Sequence, residues 1–199
     1  MKSILAPMVR AVASPLPSYL IFFVTARCNS RCKTCFYWQH LDRPKRDELT
    51  LEEIEAIAEQ CGFVAYLTIS GGEPTLRNDL PKIVRAFYER SGLQVVSIPT
   101  NGSRPQTVAE MAREILRDCP GVHVRIALSM DGIGEAHDVV RGVPGSFESV
   151  LESYRALVPV RSENPRLMLD IATVMSKYNQ DDVETIFDWV NDQLEIDNH

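Results

Sequence analysis

Three cysteines stand close together in one short segment, Cys28-Asn-Ser-Arg-Cys32-Lys-Thr-Cys35, with the spacing C-x₃-C-x₂-C. The segment directly follows an apolar run, 19–24, that is typical of a buried strand. Thiolates are ligands for soft metals, so this loop is expected to bind zinc or an iron–sulfur cluster. A closed structural zinc site or a closed four-iron cluster takes four protein ligands. Three cysteines on a cluster would therefore leave one metal position open for a further ligand.

A structural zinc loop is the alternative reading of the same cysteines, and its fourth ligand would be His40 or Cys61. Cys61 and Cys119 are expected at helix-to-strand turns. A cysteine in such a place is usually a small buried hydrophobic residue rather than a reactive group.

The bulk composition describes one globular domain. The chain has 199 residues, of which 45% are hydrophobic and 24% charged, and its net charge is −6. An acidic chain is not typical of a general nucleic-acid binder. The five cysteines are an odd number with three clustered, which indicates a reducing compartment rather than a disulfide framework. No apolar run approaches the roughly 18 residues of a membrane span. We therefore expect a cytoplasmic protein without a membrane segment.

Strand-like and helix-like segments alternate along the chain from Tyr19 onward. Thr50 and Glu53 form a capping-box pattern at the start of the first helix. The predicted strands are 19–25, 64–69, 94–98, 122–128 and 167–174, and the predicted helices are 51–60, 79–91, 105–117, 147–157 and 181–194. Ser146 is the predicted N-cap of the fourth helix. This alternation predicts an α/β fold of parallel strands joined by right-handed crossovers.

Three further motifs follow predicted strands, as the cysteine loop does. They are Ser-Gly-Gly-Glu-Pro at 70–74, Pro-Thr-Asn-Gly at 99–102 and Ser-Met-Asp-Gly at 129–132. Ligand sites in parallel α/β folds lie at the carboxyl ends of the strands. All four motifs are therefore expected to face one shared site.

The cysteine spacing, in combination with these motifs in this order, resembles the radical S-adenosylmethionine (radical SAM) superfamily. The resemblance covers about Tyr19 to Val190. It implies a partial (β/α) barrel with six parallel strands, of which the sequence supplies five. The chain is then divided into an N-terminal lead, 1–18, and a radical SAM core domain, 19–199, which we expect to be truncated before the sixth strand. We expect the last strand of the sheet to have an uncovered edge.

The resemblance also assigns site residues. Cys28, Cys32 and Cys35 would hold a 4Fe–4S cluster whose open iron binds S-adenosylmethionine (SAM). Other residues would contact SAM itself: Gly71, Gly72 and Glu73 its amino group, Tyr37 its adenine, Ser129 its ribose or carboxylate, and Arg141 its carboxylate.

The activity that the resemblance implies is reductive cleavage of SAM to a 5′-deoxyadenosyl radical, which takes a hydrogen atom from a substrate. A low-potential electron donor, flavodoxin- or ferredoxin-like, is implied as a partner. The segment from Ser129 to Phe147 is similar to the peptide- and sulfatase-modifying (SPASM-type) branch, which suggests a peptide or protein side chain as substrate. The alternatives are a small-molecule cyclisation of the molybdenum-cofactor type, a family member that binds SAM without turnover, and a non-catalytic iron–sulfur or zinc module.

The strand pattern predicts one contact inside the barrel. In the fourth strand the apolar alternate residues should face the helices, so Arg125 should face the interior, and in the fifth strand Asp170 should do so too. We expect these two side chains to pair, as a structural ion pair rather than a substrate contact. Thr68, Ser70 and Ser97 are the other polar residues predicted to point inward. His137 is expected in a surface loop, and the Asp131-Gly132 pair at a turn.

Overall fold

The computed structural model describes residues 16–41, 44 and 48–199, so most of the predicted lead, 1–18, lies outside the described residues. Five strands form one parallel sheet in the order β1-β2-β3-β4-β5. They are β1 (Tyr19–Thr25), β2 (Tyr66–Gly71), β3 (Val95–Thr100), β4 (His123–Ser129) and β5 (Leu167–Ala172). Each strand pairs with the strand that follows it in sequence, as successive right-handed crossovers require.

Six α-helices connect and follow these strands. They are α1 (Leu51–Gln60), α2 (Leu80–Ser91), α3 (Pro105–Asp118), α4 (Glu135–Arg141), α5 (Ser146–Glu163) and α6 (Val183–Gln193). The predicted capping box is present, with the Thr50 hydroxyl and the Glu53 carboxylate each accepting a backbone N–H from the other residue. In the described part of the chain, no helix has the length and apolar character needed to cross a bilayer.

The two faces of the sheet differ in burial. In β4 the residues Val124, Ile126 and Leu128 are buried, whereas Arg125 and Ala127 between them are only partly covered. The buried set joins residues of the helices in one hydrophobic core. In β1 the alternation leaves Tyr19 and Ile21 about half exposed on the other face. The helices therefore cover one face, and the opposite, concave face stays open.

Two expectations about the region after β4 were wrong. The predicted loop between Asp131 and Pro144 contains α4, a helix whose seven residues are too few for a periodic apolar pattern to be recognised. The fourth predicted helix continues past Pro159 to Glu163. A proline inside a helix usually costs a hydrogen bond, and the burial of Leu157 and Val160 on either side of it offsets that cost.

The start of α5 is capped differently from the prediction. Ser146 is the first helical residue rather than the N-cap. The carboxylate of Asp138, which lies on α4, accepts hydrogen bonds from the Gly145 and Phe147 N–H groups and the Ser146 hydroxyl. Burial disfavours the charged carboxylate, but these hydrogen bonds outweigh it and lower the pKa of Asp138. The cap therefore also fixes α4 against α5.

The segment after β1 meets segments that follow β4 and β5, on the other side of the sheet. The Arg31 and Lys33 N–H groups, after β1, donate to the Arg141 and Val140 carbonyls at 3.1 and 2.8 Å. The Lys33 ammonium also lies 5.4 Å from the ring centre of Tyr178, which follows β5. Such contacts require a strongly curved sheet, which agrees with the predicted partial barrel.

The free edge of β5 is partly covered, contrary to the expectation of an uncovered edge. Asp170 and Asn198 form a parallel bridge. The Asp197 N–H donates to the Leu169 carbonyl at 2.8 Å, and the Ile171 N–H donates to the Asn198 carbonyl at 3.0 Å. Residues 197–198 thus pair at the position where a sixth parallel strand would lie, and the sixth strand itself stays a prediction.

The predicted ion pair of Arg125 and Asp170 is confirmed. The guanidinium donates to one Asp170 carboxylate oxygen from Nε at 2.9 Å and from Nη2 at 2.5 Å. Arg125 lies opposite Met168 in the register, so the pair is diagonal across the two strands. The second Asp170 oxygen accepts from the Asn198 amide at 2.9 Å. The pair therefore joins β4, β5 and the bridged edge.

This pair should contribute measurably to stability. A double-mutant cycle with Arg125→Met and Asp170→Asn should give a coupling energy of about 1–2 kcal/mol in urea unfolding, because Asp170 is almost buried. The matched control is Arg85 with Glu89, an exposed pair on α2, whose coupling should be clearly smaller because solvent screens it. Equal coupling energies for the two pairs would contradict the prediction.

Candidate functional site

All nine predicted site residues line one open cavity of about 280 Å³ at the carboxyl ends of the strands. They are Cys28, Cys32, Cys35, Tyr37, Gly71, Gly72, Glu73, Ser129 and Arg141. The wall is completed by Thr100 and Asn101 after β3 and by Ala172 and Val174 after β5. The structure therefore brings together residues from every strand end, as the motif positions predicted.

The cysteine loop is fixed by hydrogen bonds from neighbouring segments. The Asn101 amide donates to the Asn29 side-chain oxygen at 2.8 Å and to the Ser30 hydroxyl at 2.9 Å. The Ser30 N–H in turn points at the Cys28 sulfur at 3.4 Å. The sequence placed Asn101 at a strand end but did not identify this contact.

Two glycines let backbone segments pack directly against the loop. A Cβ on Gly72 would lie 2.1 Å from the Arg27 carbonyl oxygen, and one on Gly142 would lie 2.5 Å from that of Arg31. The Gly72 N–H donates to the Thr25 carbonyl at 2.8 Å. The absence of a side chain at Gly72 and at Gly142 therefore permits close contact with the backbone of the cysteine segment.

The donor set fits an iron–sulfur cluster. The thiols of Cys28, Cys32 and Cys35 are partly exposed on the cavity wall. In the described ranges, no three His, Cys, Asp or Glu side chains are grouped as a site for a single ion. Cysteine thiolates are the ligands that a four-iron cluster takes, and each of the three would bind a different iron. Cys61 is one of the two residues considered as a fourth ligand for zinc. It is the C-cap of α1, at the opposite end of that helix from Thr50.

Burial raises the pKa values of two of these thiols. The pKa of Cys28 is raised by burial, against the hydrogen bond from Ser30. The pKa of Cys32 is also raised by burial, and the Arg141 guanidinium opposes this shift. Arg141 is therefore close enough to the cysteine loop to act on it electrostatically.

The Glu73 carboxylate faces the protein rather than the cavity. It is 2% exposed, and one oxygen accepts hydrogen bonds from the Thr75 N–H and from the hydroxyls of Thr75 and Thr100. The other oxygen accepts from the Asn101 N–H at 2.8 Å. These bonds join the ends of β2 and β3. Because the carboxylate is buried, Glu73 presents mainly its backbone to the cavity.

Arg141 is held by Asp131, a residue that the sequence had suggested only for a turn. Asp131 is fully buried. One of its oxygens accepts from Arg141 Nη1 at 2.9 Å, and the other accepts from the Val174 N–H at 2.9 Å. The Asn179 amide donates to the Asp131 carbonyl. The signal available in the sequence was the position of Asp131 immediately after β4.

His137 is buried on α4, so the expectation of a surface loop histidine was wrong. Its Nδ1 accepts the Asp131 N–H at 3.1 Å, which places the proton of the neutral ring on Nε2. In the described part of the chain, this buried Nε2 has no hydrogen-bond partner. Burial, aided by Arg141 and opposed by Asp131 and Asp138, lowers the pKa of His137 to about 4.

Tyr37 and Ser129 complete the predicted set. The Tyr37 ring lies 5.2 Å from that of Phe23 and 5.1 Å from that of His40. It begins a short 3₁₀ turn after the third cysteine. Ser129 is the last residue of β4 and is paired with Ala172. Both residues border the cavity that the cysteines line.

The geometry defines a class of protein: a curved parallel α/β half-barrel with a three-cysteine loop above its open end. Within that class, the chain belongs to the radical SAM superfamily, whose family model matches residues 22–190. Members of this superfamily are enzymes that use a 4Fe–4S cluster and SAM. The resemblance seen in the sequence is thereby confirmed.

Curated relatives share about a third of the sequence. Fe-coproporphyrin III synthase of Methanosarcina barkeri is 31% identical in an alignment of 192 positions, which covers 89% of this chain and 45% of that protein. GTP 3′,8-cyclase of Paracoccus denitrificans is 32% identical in an alignment of 195 positions, which covers 94% of this chain and 53% of that protein. The chain therefore spans about half the length of the curated relatives it matches.

Solved structures support the fold. A structure of anSMEcpe with bound AdoMet has a TM-score of 0.68 at 20% identity and covers 88% of this chain and 49% of its own. Streptococcus suis SuiB bound to the precursor peptide SuiA has a TM-score of 0.61 at 18% identity and covers 95% and 40%. At such identities the likeness concerns the fold alone, and it confirms the parallel α/β architecture.

Replacing Glu73 tests whether its carboxylate stabilises the fold or binds the ligand. Glu73→Gln keeps the shape but places an amide donor among N–H and O–H donors, so the free energy of unfolding should fall by about 2 kcal/mol. Urea unfolding followed by circular dichroism measures this, with Glu89→Gln on the exposed face of α2 as the control. If Glu73→Gln is as stable as the parent protein and only SAM binding is lost, the carboxylate acts on the ligand instead.

The buried His137 predicts a pH-dependent stability. Its pKa is about 4 in the folded protein against 6.5 for the free group, so between these values the unfolded chain binds a proton that the folded chain does not. Stability should therefore decrease as the pH falls. His137→Asn retains an acceptor for the Asp131 N–H and cannot titrate.

The free energy of unfolding of the parent protein, relative to His137→Asn, should fall by about 2–3 kcal/mol between pH 7 and pH 4.5. Denaturant titrations at several pH values measure this difference, with the exposed His123→Asn as control. A difference curve that is flat in pH would show that His137 binds its proton equally well in the folded and unfolded chain, and would contradict the lowered pKa.

Proposed function

We propose that residues 19–199 are the core domain of a radical SAM enzyme that cleaves SAM reductively and abstracts hydrogen from a substrate. The observation that carries this proposal is the convergence of all nine predicted residues on one cavity. The donor chemistry of the three thiols and the family membership support it.

In this proposal Cys28, Cys32 and Cys35 hold the cluster and leave one iron for SAM. A cluster held there would supply one electron for the reductive cleavage of SAM to methionine and a 5′-deoxyadenosyl radical, and that radical would take a hydrogen atom from the substrate. The protein contributes placement, because the reacting bond must lie at a fixed position in a site closed to water.

Arg141 is proposed to bind the SAM carboxylate. A guanidinium has five N–H donors in a fixed plane, and the bond from Nη1 to Asp131 leaves others for a bidentate contact. Asp131 thereby sets the orientation of the Arg141 guanidinium group. Ser129 offers a hydroxyl at the end of β4 for the ribose or carboxylate, and the backbone of Gly71 to Glu73 offers carbonyls for the ammonium. Tyr37 is proposed to lie by the adenine.

Two substrate classes are proposed. The Ser129 to Phe147 segment, similar to the peptide-modifying branch, supports a peptide or protein side chain. The sequence relatives named for GTP and coproporphyrin chemistry support a small molecule. Deuterated candidate substrates of each class separate the two. Only a true substrate gives up its deuterium to the 5′-deoxyadenosyl radical, so that the deuterium is found in 5′-deoxyadenosine. We also propose a flavodoxin- or ferredoxin-like electron donor.

Cluster loading and SAM cleavage test the core function. Anaerobically reconstituted protein should contain about four irons and four sulfides per chain and form 5′-deoxyadenosine from SAM after dithionite reduction, as measured by mass spectrometry. Cys28→Ala, Cys32→Ala and Cys35→Ala should each lose most of the iron and all 5′-deoxyadenosine.

Cys61→Ala is the matched control and should retain both, because Cys61 lies at the end of α1. Zinc in place of iron would support a structural zinc module. A complete cluster that binds SAM and never cleaves it would support a member without turnover. Either result would overturn the proposed function.

A further inference from the structure

The surroundings of the cysteine loop are basic, although the chain as a whole is acidic. The segment from Ala26 to His40 contains Arg27, Arg31 and Lys33 and no acidic residue, in a protein of net charge −6. The segment from Thr173 to Gln180, after β5, contains one lysine and no acidic residue, and Asp181 and Asp182 follow it. The two segments follow opposite edges of the sheet, and the curvature of the sheet brings them together.

Their contact is made by two lysines and one tyrosine. The Lys33 ammonium lies 5.4 Å and the Lys177 ammonium 5.2 Å from the centre of the Tyr178 ring. An aromatic face attracts cations, so one ring keeps two positive charges close together at the surface. Both lysines are exposed.

Apolar side chains lie beside these charges. Val174 is 50%, Met175 73% and Tyr178 44% exposed, and Val174 also borders the cavity of the cysteines. We call Lys33, Val174, Met175, Lys177 and Tyr178 the lysine–tyrosine patch. A partly apolar surface edged by like charges is typical of a protein–protein contact.

We propose that the lysine–tyrosine patch docks the electron donor, and that this donor is a small acidic electron-transfer protein. The proposal rests on the proposed function. Opposite charges steer two proteins into contact and raise the association rate. Lys33 is adjacent in the chain to Cys32, so a donor seated on the patch lies next to a cluster ligand. One electron leaves the donor, which is oxidised by one electron, and the cluster is reduced by one.

Position favours an electron donor over an acidic substrate. The substrate has to reach SAM inside the cavity, where Arg141 and Ser129 lie, whereas both ammonium groups are on the outer surface. Asp182 lines a neighbouring pocket together with Tyr178. It is an acidic group near the patch, next in the chain to Asp181, and its charge should oppose an acidic partner.

Binding is tested first, with an acidic flavodoxin as the probe. The dissociation constant should rise at least about 10-fold in Lys33→Glu/Lys177→Glu at low ionic strength, and the difference should shrink at about 0.5 M salt. The control, Lys82→Glu/Arg113→Glu on α2 and α3, changes the net charge equally and should bind like the parent protein. Asp182→Asn should tighten binding. Equal weakening in both double variants overturns the proposal.

Cross-linking locates the contact independently of activity. A carbodiimide joins an amine to a carboxylate as an amide with loss of water, so Lys33 or Lys177 should be linked to an acidic residue of flavodoxin. Peptide mass spectrometry identifies the joined residues. Links formed only through other lysines overturn the proposal.

Electron transfer is tested with two reductants on the reconstituted protein. Dithionite is small and requires no docking surface, so Lys33→Glu/Lys177→Glu should form 5′-deoxyadenosine at the parent rate with dithionite and about 10-fold more slowly with reduced flavodoxin at low salt. If Lys33→Glu impairs cluster loading, the single variant Lys177→Glu, which lies outside the cysteine loop, is used instead. It should form 5′-deoxyadenosine more slowly with reduced flavodoxin, by part of the same factor. No 5′-deoxyadenosine with dithionite in the parent protein refutes the proposed function, while the binding measurements still test the patch.

Discussion

Two buried carboxylates hold the strand ends in the positions that the cavity requires. Glu73 accepts hydrogen bonds from the end of β3 and thereby joins β2 to β3. Asp131 accepts the Val174 N–H and one Arg141 N–H and thereby joins β4 to the segment after β5 and to α4. A carboxylate removed from water is stable only when its oxygens are hydrogen-bonded. Each one therefore selects the single arrangement of loops that supplies its donors.

The cysteine loop depends on this frame. The loop receives the Asn101 amide from the β3 end that Glu73 fixes, and the backbone of Arg31 and Lys33 bonds to the end of α4 that Asp131 fixes through Arg141. The close approach at Gly72 completes the contact. Three thiols thus line the cavity at positions set by segments remote in sequence. Preorganisation of this kind is needed where the position of a bound ligand decides the reaction.

The sequence predicted the order of the elements and the residues of the cavity wall. Both are local features: β1 and α1 have apolar patterns and caps that need no partner, and the four motifs are defined by their positions after strands. The direction of the Glu73 carboxylate and the burial of His137 could not be predicted in this way, because each depends on which backbone groups another loop presents. The seven-residue α4 and the passage of α5 through Pro159 are likewise decided by tertiary packing.

The pairing of Arg125 with Asp170 was an exception, since it is a long-range contact that alternation alone could predict. The side chains of a strand alternate between two faces, so identifying the apolar set on β4 and β5 also identified which residues face the interior. The same property separates the roles of the two faces here. The helix-facing residues form the core, while Tyr19, Ile21 and Phe23 on the concave face are 54%, 50% and 41% exposed. These three side chains lie outside the buried core cluster and outside the two carboxylate networks, so one cofactor frame can be combined with different side chains at these interior positions.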